Sequence, residues 1–154
     1  MIKIGDKAPN FKGKALVENN EKEISLSDFK GSKVALYFYP KDMTPGCTIQ
    51  AKNLRDNYKE LTSKGIVIIG VSKDDIKSHS KFSEKKELPF ILISDEDTKI
   101  SSDYGVWGMK KFMGKEYMGI SRNTFLIDEK GNIVSIIDKP KVAQHAKEII
   151  ESFE

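Results

Sequence analysis

Apolar residues fall along this chain in short runs of two kinds. Val34–Tyr39 is continuously apolar and stops at Pro40, and Ile66–Val71 repeats the pattern, as strands buried on both faces do. Phe90–Ile93, just after Pro89, is a shorter run of the same type. Between these runs the spacing lengthens to a helical period. From Pro45 to about Ser63, the residues Cys47, Ala51, Leu54, Tyr58 and Leu61 share one helical face, and Lys64-Gly65 is a stop signal. Asp74–Glu87 reads as a helix with Ile76 and Phe82 inward, and Asp97–Tyr104 as a short helix ended by Gly105. Val142, Ala146, Ile149, Ile150 and Phe153 give a closing helix one apolar face. Lys14–Val17 and Glu23–Ser25 flank Glu18-Asn19-Asn20 as a hairpin. Asn123–Asp128 and Asn132–Asp138 flank Glu129-Lys130-Gly131 as another.

A βαβ unit, then a hairpin, then a terminal helix, predicts an α/β protein whose central mixed sheet carries helices on both faces. That order is the thioredoxin-like arrangement, with an extra N-terminal β-hairpin. No repeat, low-complexity stretch or flexible linker interrupts it, so residues 1–154 are expected to form a single domain.

Charge narrows the function classes. The 26 Lys+Arg and 23 Asp+Glu leave a net charge of +3, interspersed rather than blocked, so neither nucleic acid nor a membrane surface is an expected partner. The polar stretch Met1–Phe11 has no secretory character and no apolar run reaches membrane-spanning length, so a cytoplasmic setting is expected. One cysteine excludes an internal disulfide and a cysteine-cluster metal site. His79 and His145 lie far apart without ligand spacing. Asp95-Glu96-Asp97 has the look of a calcium loop, but Lys99 and Ile100 stand where an oxygen ligand and a glycine are needed. No metal or cofactor is expected. Only Arg55 and Arg122 are arginine in this Lys-rich chain; either is retained by chance or for its planar fork.

The stretch Tyr39–Thr48 carries the chemistry. It runs from the carboxyl end of a buried strand into a helix, where open α/β sheets bind ligands. Thr44 is a natural N-cap and Pro45 a natural first helical residue, which puts Cys47 in the first turn. Unpaired N–H groups and the positive end of the helix dipole favour a thiolate there. The same apolar stripe is what an inert core cysteine would show. The first turn of a helix at a strand's carboxyl end is seldom deep core, however, so the thiol is expected in a shallow pocket facing the sheet.

The block Pro40-Lys41-Asp42-Met43-Thr44-Pro45-Gly46-Cys47-Thr48 resembles the peroxiredoxin signature Pro-x-x-x-Thr-x-x-Cys. Its Tyr-Pro-Lys-Asp and Thr-Pro-Gly-Cys-Thr forms are similar to those of the bacterioferritin comigratory protein (peroxiredoxin Q) subgroup. The start Gly5–Phe11 and the blocks Tyr104–Gly108 and Gly119–Asp128 resemble family blocks in the same order, so the likeness covers nearly the whole chain. It implies a thiol-dependent peroxidase for hydrogen peroxide and organic hydroperoxides, with Cys47 as the attacking residue. Thr44 would offer its hydroxyl to thiolate and peroxide, and Pro40 would wall the pocket. Arg122 would hold the thiolate and the reacting oxygens, joined by the backbone N–H groups of Gly46 and Cys47. On the residues alone, Pro40 also reads as a strand stop, Thr44 as a plain cap and Arg122 as a surface charge. Arg55 is read as structural, and Trp107 as a core aromatic or a flank of the pocket.

Thiolate population alone cannot make a fast peroxidase. An ordinary thiol at pKa ~8.5 is about 3% thiolate at pH 7 and one at ~6 is about 90%, a roughly thirtyfold gain partly offset by lower intrinsic nucleophilicity. The larger contribution must come from donors that stabilise charge as the O–O bond breaks.

Two departures from the subgroup matter. Lys52 stands where many members carry a resolving cysteine, and Gln50 stands where a Glu is common. A one-cysteine cycle follows, with an external thiol or redoxin as reductant and a monomer or weak homodimer as the expected state. A thioredoxin-like disulfide reductase would need a second cysteine at Gln50. A non-catalytic binding module would be favoured by loss of Thr44, Cys47 or Arg122, and all three are present.

Overall fold

A computed structural model describes residues 2–154. The chain opens with the hairpin β1 (Lys12–Val17) and β2 (Asn20–Ser25), followed by a 3-10 turn at Leu26–Phe29. Then come β3 (Lys33–Phe38), α1 (Pro45–Asp56), α2 (Tyr58–Ser63), β4 (Ile66–Ser72), α3 (Ile76–Lys86), β5 (Ile91–Ser94) and α4 (Lys99–Asp103). A second hairpin, β6 (Trp107–Phe112) and β7 (Lys115–Ile120), precedes β8 (Asn123–Ile127), β9 (Ile133–Ile137), a 3-10 turn at Val142–Gln144 and α5 (His145–Phe153). Seven strands form one mixed sheet in the order β2-β1-β5-β4-β3-β8-β9, while β6 and β7 pair only with each other. The parallel trio β3, β4 and β5 lies at its centre, with antiparallel strands outside.

Alternation along β3 sorts the core. Val34, Leu36 and Phe38 enter one apolar cluster with Ala15, Ile24, Ile100 and Tyr104. Ala35, Tyr37 and Tyr39 enter the other, with Ala51, Leu54, Phe82 and Ile149. Helices therefore cover both faces as expected, but unevenly: α1, α2, α3 and α5 lie on one face and α4 on the other.

Several boundaries depart from the sequence reading, each for a local reason. The first hairpin turns on Glu18 and Asn19 alone, both left-handed at φ 50° and 66°, so Asn20 belongs to β2. The expected single helix from Pro45 to Ser63 breaks at Asn57, whose side-chain amide donates to the Asn53 carbonyl at 2.8 Å and competes with the helical backbone. In α3 the inward residues are His79, Phe82 and Ser83, with Ile76 only half-buried. Val142 falls in the 3-10 turn rather than in α5. The β6–β7 hairpin was not anticipated. Its strands have no apolar alternation beyond Trp107 and Ile120, and its turn is set by left-handed Met113 and Gly114. Asp95 opens no ion loop: its carboxylate accepts the Ile100 and Ser101 N–H groups and so starts α4.

Gly70, in the middle of β4, shows how tightly the sheet is covered. A Cβ there would lie 2.9 Å from the Tyr37 ring and 3.0 Å from Leu92. Gly70→Ala is expected to lower the unfolding free energy by about 1–3 kcal/mol through overpacking. Denaturant unfolding checks this, and wild-type stability would show that the Tyr37 ring can yield.

Candidate active site

The site forms where β3 gives way to α1. Thr44, extended at φ −76° and ψ 153°, is the N-cap and Pro45 the first helical residue. The first helical bond runs from the Thr48 N–H to the Thr44 carbonyl at 2.8 Å. The N–H groups of Gly46 and Cys47 precede it and have no intrahelical acceptor. Cys47 points at the sheet and is 1% exposed, so the thiol lies deeper than the shallow pocket expected from sequence.

Arg122 reaches this turn from the two-residue link between β7 and β8. Its Nη1 donates to Cys47 Sγ at 3.4 Å and to Gln50 Oε1 at 2.8 Å. Gly46 makes the approach possible, since a Cβ at that position would lie 3.2 Å from Nη2. Gln50 is fully buried, and its Nε2 has no hydrogen-bond partner. The Tyr37 hydroxyl beneath is also unpartnered, with its ring stacked on Tyr39 at 5.4 Å. Burial, then the charges at Cys47 and Asp42, hold its pKa well above the usual tyrosine value.

The structure thus brings Cys47, Gly46 and Arg122 together. Thr44 is in the adjoining loop, but its hydroxyl donates to the Lys41 carbonyl at 2.8 Å and neither caps the helix nor meets the sulfur. Pro40 is half-buried at the start of that loop. Arg55 stands apart, donating to the Lys86 carbonyl at 2.8 Å and pairing with Asp56 at 2.9 Å, which is structural as read. Trp107 is half-buried against the core with Lys73 Nζ 5.5 Å from its ring centre. Lys52 is exposed.

Three groups were not visible in the sequence. Gln50 registered only as a substitution, and nothing marked it as the acceptor for Arg122. Lys110 donates to the Ile120 carbonyl at 3.0 Å, and its pKa is lowered by burial and by the charge of Arg122. Asp42, Asp74 and His79 bring ligand atoms within 4.8 Å of one another although Asp42 is remote in sequence from the other two. All three are engaged in hydrogen bonds within the protein, which describes a polar network rather than an ion cradle.

The sequence profile of the AhpC/TSA family matches residues 4–136. The chain belongs to that family. Peroxiredoxin Bcp of Bacillus subtilis is 46% identical over 98% of this chain and 94% of its own length. A cysteine-to-serine mutant of PrxQ from Xylella fastidiosa superposes with a TM-score of 0.89 at 30% identity, over 99% of this chain and 96% of that one. The bacterioferritin comigratory protein of Xanthomonas campestris gives 0.84 at 34% identity, over 92% and 88%. The chain is thus a Bcp-type peroxiredoxin, a thiol-dependent peroxidase on a thioredoxin fold, with one cysteine. Among the described residues no helix of this peroxiredoxin is long and apolar enough to cross a membrane.

The orphaned amide of Gln50 has a testable cost. Gln50→Glu removes the unpartnered donor and gives Arg122 a charged acceptor, so stability at neutral pH is expected to rise by about 1–3 kcal/mol. A carboxylate stabilised by a cation binds fewer protons folded than unfolded, so the gain is lost as the pH falls into the acid range. Thermal unfolding of both proteins at neutral and acid pH reads both effects.

Proposed function

We propose that Cys47 is the peroxidatic residue and that its cycle closes on an external thiol. The observation that carries this reading is the contact of Arg122 Nη1 with Cys47 Sγ, 3.4 Å, in the first turn of α1. Cys47 Sγ attacks the nearer oxygen of a hydroperoxide. An S–O bond forms, the O–O bond breaks, and the departing oxygen takes up a proton to leave as water or an alcohol. The sulfur loses two electrons and the peroxide gains them.

Arg122 steadies the thiolate and the reacting oxygens, and the free N–H groups of Gly46 and Cys47 face the charge that develops. Thr44 takes part by releasing the Lys41 carbonyl and turning its hydroxyl to the peroxide, while Pro40 limits water. Organic hydroperoxides are included as substrates. Exposed Met43 and Ile49 give the surroundings an apolar character, and alkyl peroxide reduction is described for the Xanthomonas campestris relative.

With no second cysteine, the sulfenic acid at Cys47 condenses with an external thiol, releasing water and leaving a mixed disulfide. A second thiol then attacks the external sulfur and frees Cys47. The reductant is a small thiol or a redoxin, the protein acts as a monomer or weak homodimer, and one unpaired cysteine fits a reducing cytoplasm.

Intact mass spectrometry during peroxide titration tests the cycle. One added oxygen is expected on Cys47, then two or three with excess peroxide, all suppressed by added thiol; Cys47→Ser should show neither these adducts nor turnover. Rapid formation of a stoichiometric Cys47-linked dimer would mean that resolution occurs between chains, and turnover by Cys47→Ser would end the proposal.

Arg122→Lys keeps the charge but loses the planar guanidinium whose Nη1 serves both Cys47 and Gln50. Its peroxide rate constant is expected to fall by roughly tenfold to a hundredfold, which stopped-flow kinetics can measure. Near-normal kinetics would assign Arg122 a structural role alone.

A further inference from the structure

The loop that carries Pro40 and Thr44 is held from beneath by charges that the peroxidase chemistry does not use. Asp42, 4% exposed, has both carboxylate oxygens engaged. Oδ1 accepts from the Tyr39 hydroxyl at 2.6 Å, and Oδ2 accepts from the Ser78 hydroxyl at 2.9 Å and from His79 Nδ1 at 2.7 Å. The Asp42 backbone N–H donates to Asp74 Oδ2 at 2.8 Å, and that oxygen also accepts from Ser72 at 2.6 Å. The loop is therefore tied to the ends of β3 and β4 and to the first turns of α3.

His79 is the member that decides the state of this network. It is fully buried, and its two ring nitrogens both face acceptors: Asp42 Oδ2 at 2.7 Å and the Ile93 carbonyl at 2.9 Å. A neutral ring carries one N–H and cannot serve both, whereas an imidazolium serves both and neutralises the carboxylate. The ionisable groups around it are Asp42 in the loop, Asp74 after β4, Tyr39 at the end of β3 and Asp75, the cap of its own helix. The loop also contains a left-handed non-glycine residue, Met43 at φ +68°, immediately before Thr44. Such a conformation persists only where its surroundings enforce it.

We propose that His79 is a positioning residue for the peroxidase reaction: paired with Asp42, it anchors loop 40–44, which carries Pro40 and Thr44 and leads directly into the first turn of α1 at Cys47. The proposal rests on the reading of Cys47 as the peroxidatic residue. The pair makes peroxide reactivity depend on a proton that the sulfur itself never carries. Burial lowers the His79 pKa, but the hydrogen bond and charge of Asp42, the Ile93 carbonyl and Asp74 more than offset it, and the net shift is upward. A histidine whose folded pKa is raised keeps its stabilising contribution below the unfolded value of about 6.5 and loses it as the pH rises through the folded value. The loop therefore slackens on the alkaline side.

The test compares two reactions of the same thiol across pH, in wild type and in His79→Gln. Iodoacetamide reports the thiolate population, while hydrogen peroxide reports that population together with the loop's geometry. In wild type the ratio of peroxide to iodoacetamide rate constants is expected to decline as pH rises above neutrality. His79→Gln is expected to lower the peroxide rate constant by roughly tenfold to a hundredfold while alkylation changes by less than about twofold, as for a misplaced reacting group. The alkaline decline in the ratio should be absent from the variant. Should His79→Gln not fold, Asp42→Asn removes the opposite charge of the same pair at constant size and carries the same expectation. Equal losses in both reactions, or a wild-type ratio constant through alkaline pH, would overturn the proposal. A wild-type protein with no preference for peroxide would instead overturn the reading of Cys47.

Discussion

The guanidinium of Arg122 joins parts of the chain 75 residues apart. It leaves the sheet just before β8 and ends at the first turn of α1, with one nitrogen shared between a sulfur and a buried amide oxygen. Arginine suits this position because its charge is permanent and its donors are fixed in a plane. The surroundings follow from accommodating it. Gly46 leaves room for it, buried Gln50 accepts one of its bonds, and the pairing of β8 with β3 lets Arg122 emerge beside the strand leading to Cys47. The chemistry and the central strand pairing are thus parts of one constraint.

Beneath that contact the sheet is unusually polar for a core. Tyr39 just after β3, and Ser72 and Ser94 at the ends of β4 and β5, bond through their side chains to Asp42 or Asp74. On the same face as Tyr37, buried His145 lies between Thr124 and Glu148, at 2.8 and 3.0 Å. Burial chiefly lowers its pKa, opposite to the net direction at His79. Two buried histidines on one face thus favour opposite protonation states. A charged acceptor and a carbonyl press on His79, while one of the partners of His145 is a hydroxyl, which can donate as well as accept.

What could be read from the sequence follows from how local each feature is. Strands β3 and β4 were legible because continuous apolar runs have few other uses, and the start of α1 because Thr44 and Pro45 are local signals. The Cys47 and Arg122 pair was legible only through resemblance, since no pattern in the chain links the two positions. The break at Asn57 depends on a side chain bonding one turn back, which periodicity does not register. The β6–β7 hairpin escaped because Met109, Phe112, Tyr117 and Met118 remain exposed on it, leaving no buried stripe to read. His79 passed as an isolated histidine because both of its partners come from other elements.

The depth of Cys47 has a consequence for the timing of the cycle. A small peroxide needs little room to reach a sulfur that is 1% exposed, but a thiol carried on a protein needs room for its own backbone. If the reductant is such a partner, re-reduction would require the first turn of α1 to open, and its speed would follow the fraction of time that turn spends unwound. Each 1.4 kcal/mol of local stability changes that fraction about tenfold. The break at Asn57 bears on this directly, because it ends α1 after Asp56 and shortens the segment that must loosen. Oxidation and such a recovery would then be tuned separately, one by the guanidinium and the other by the fraying of a twelve-residue helix.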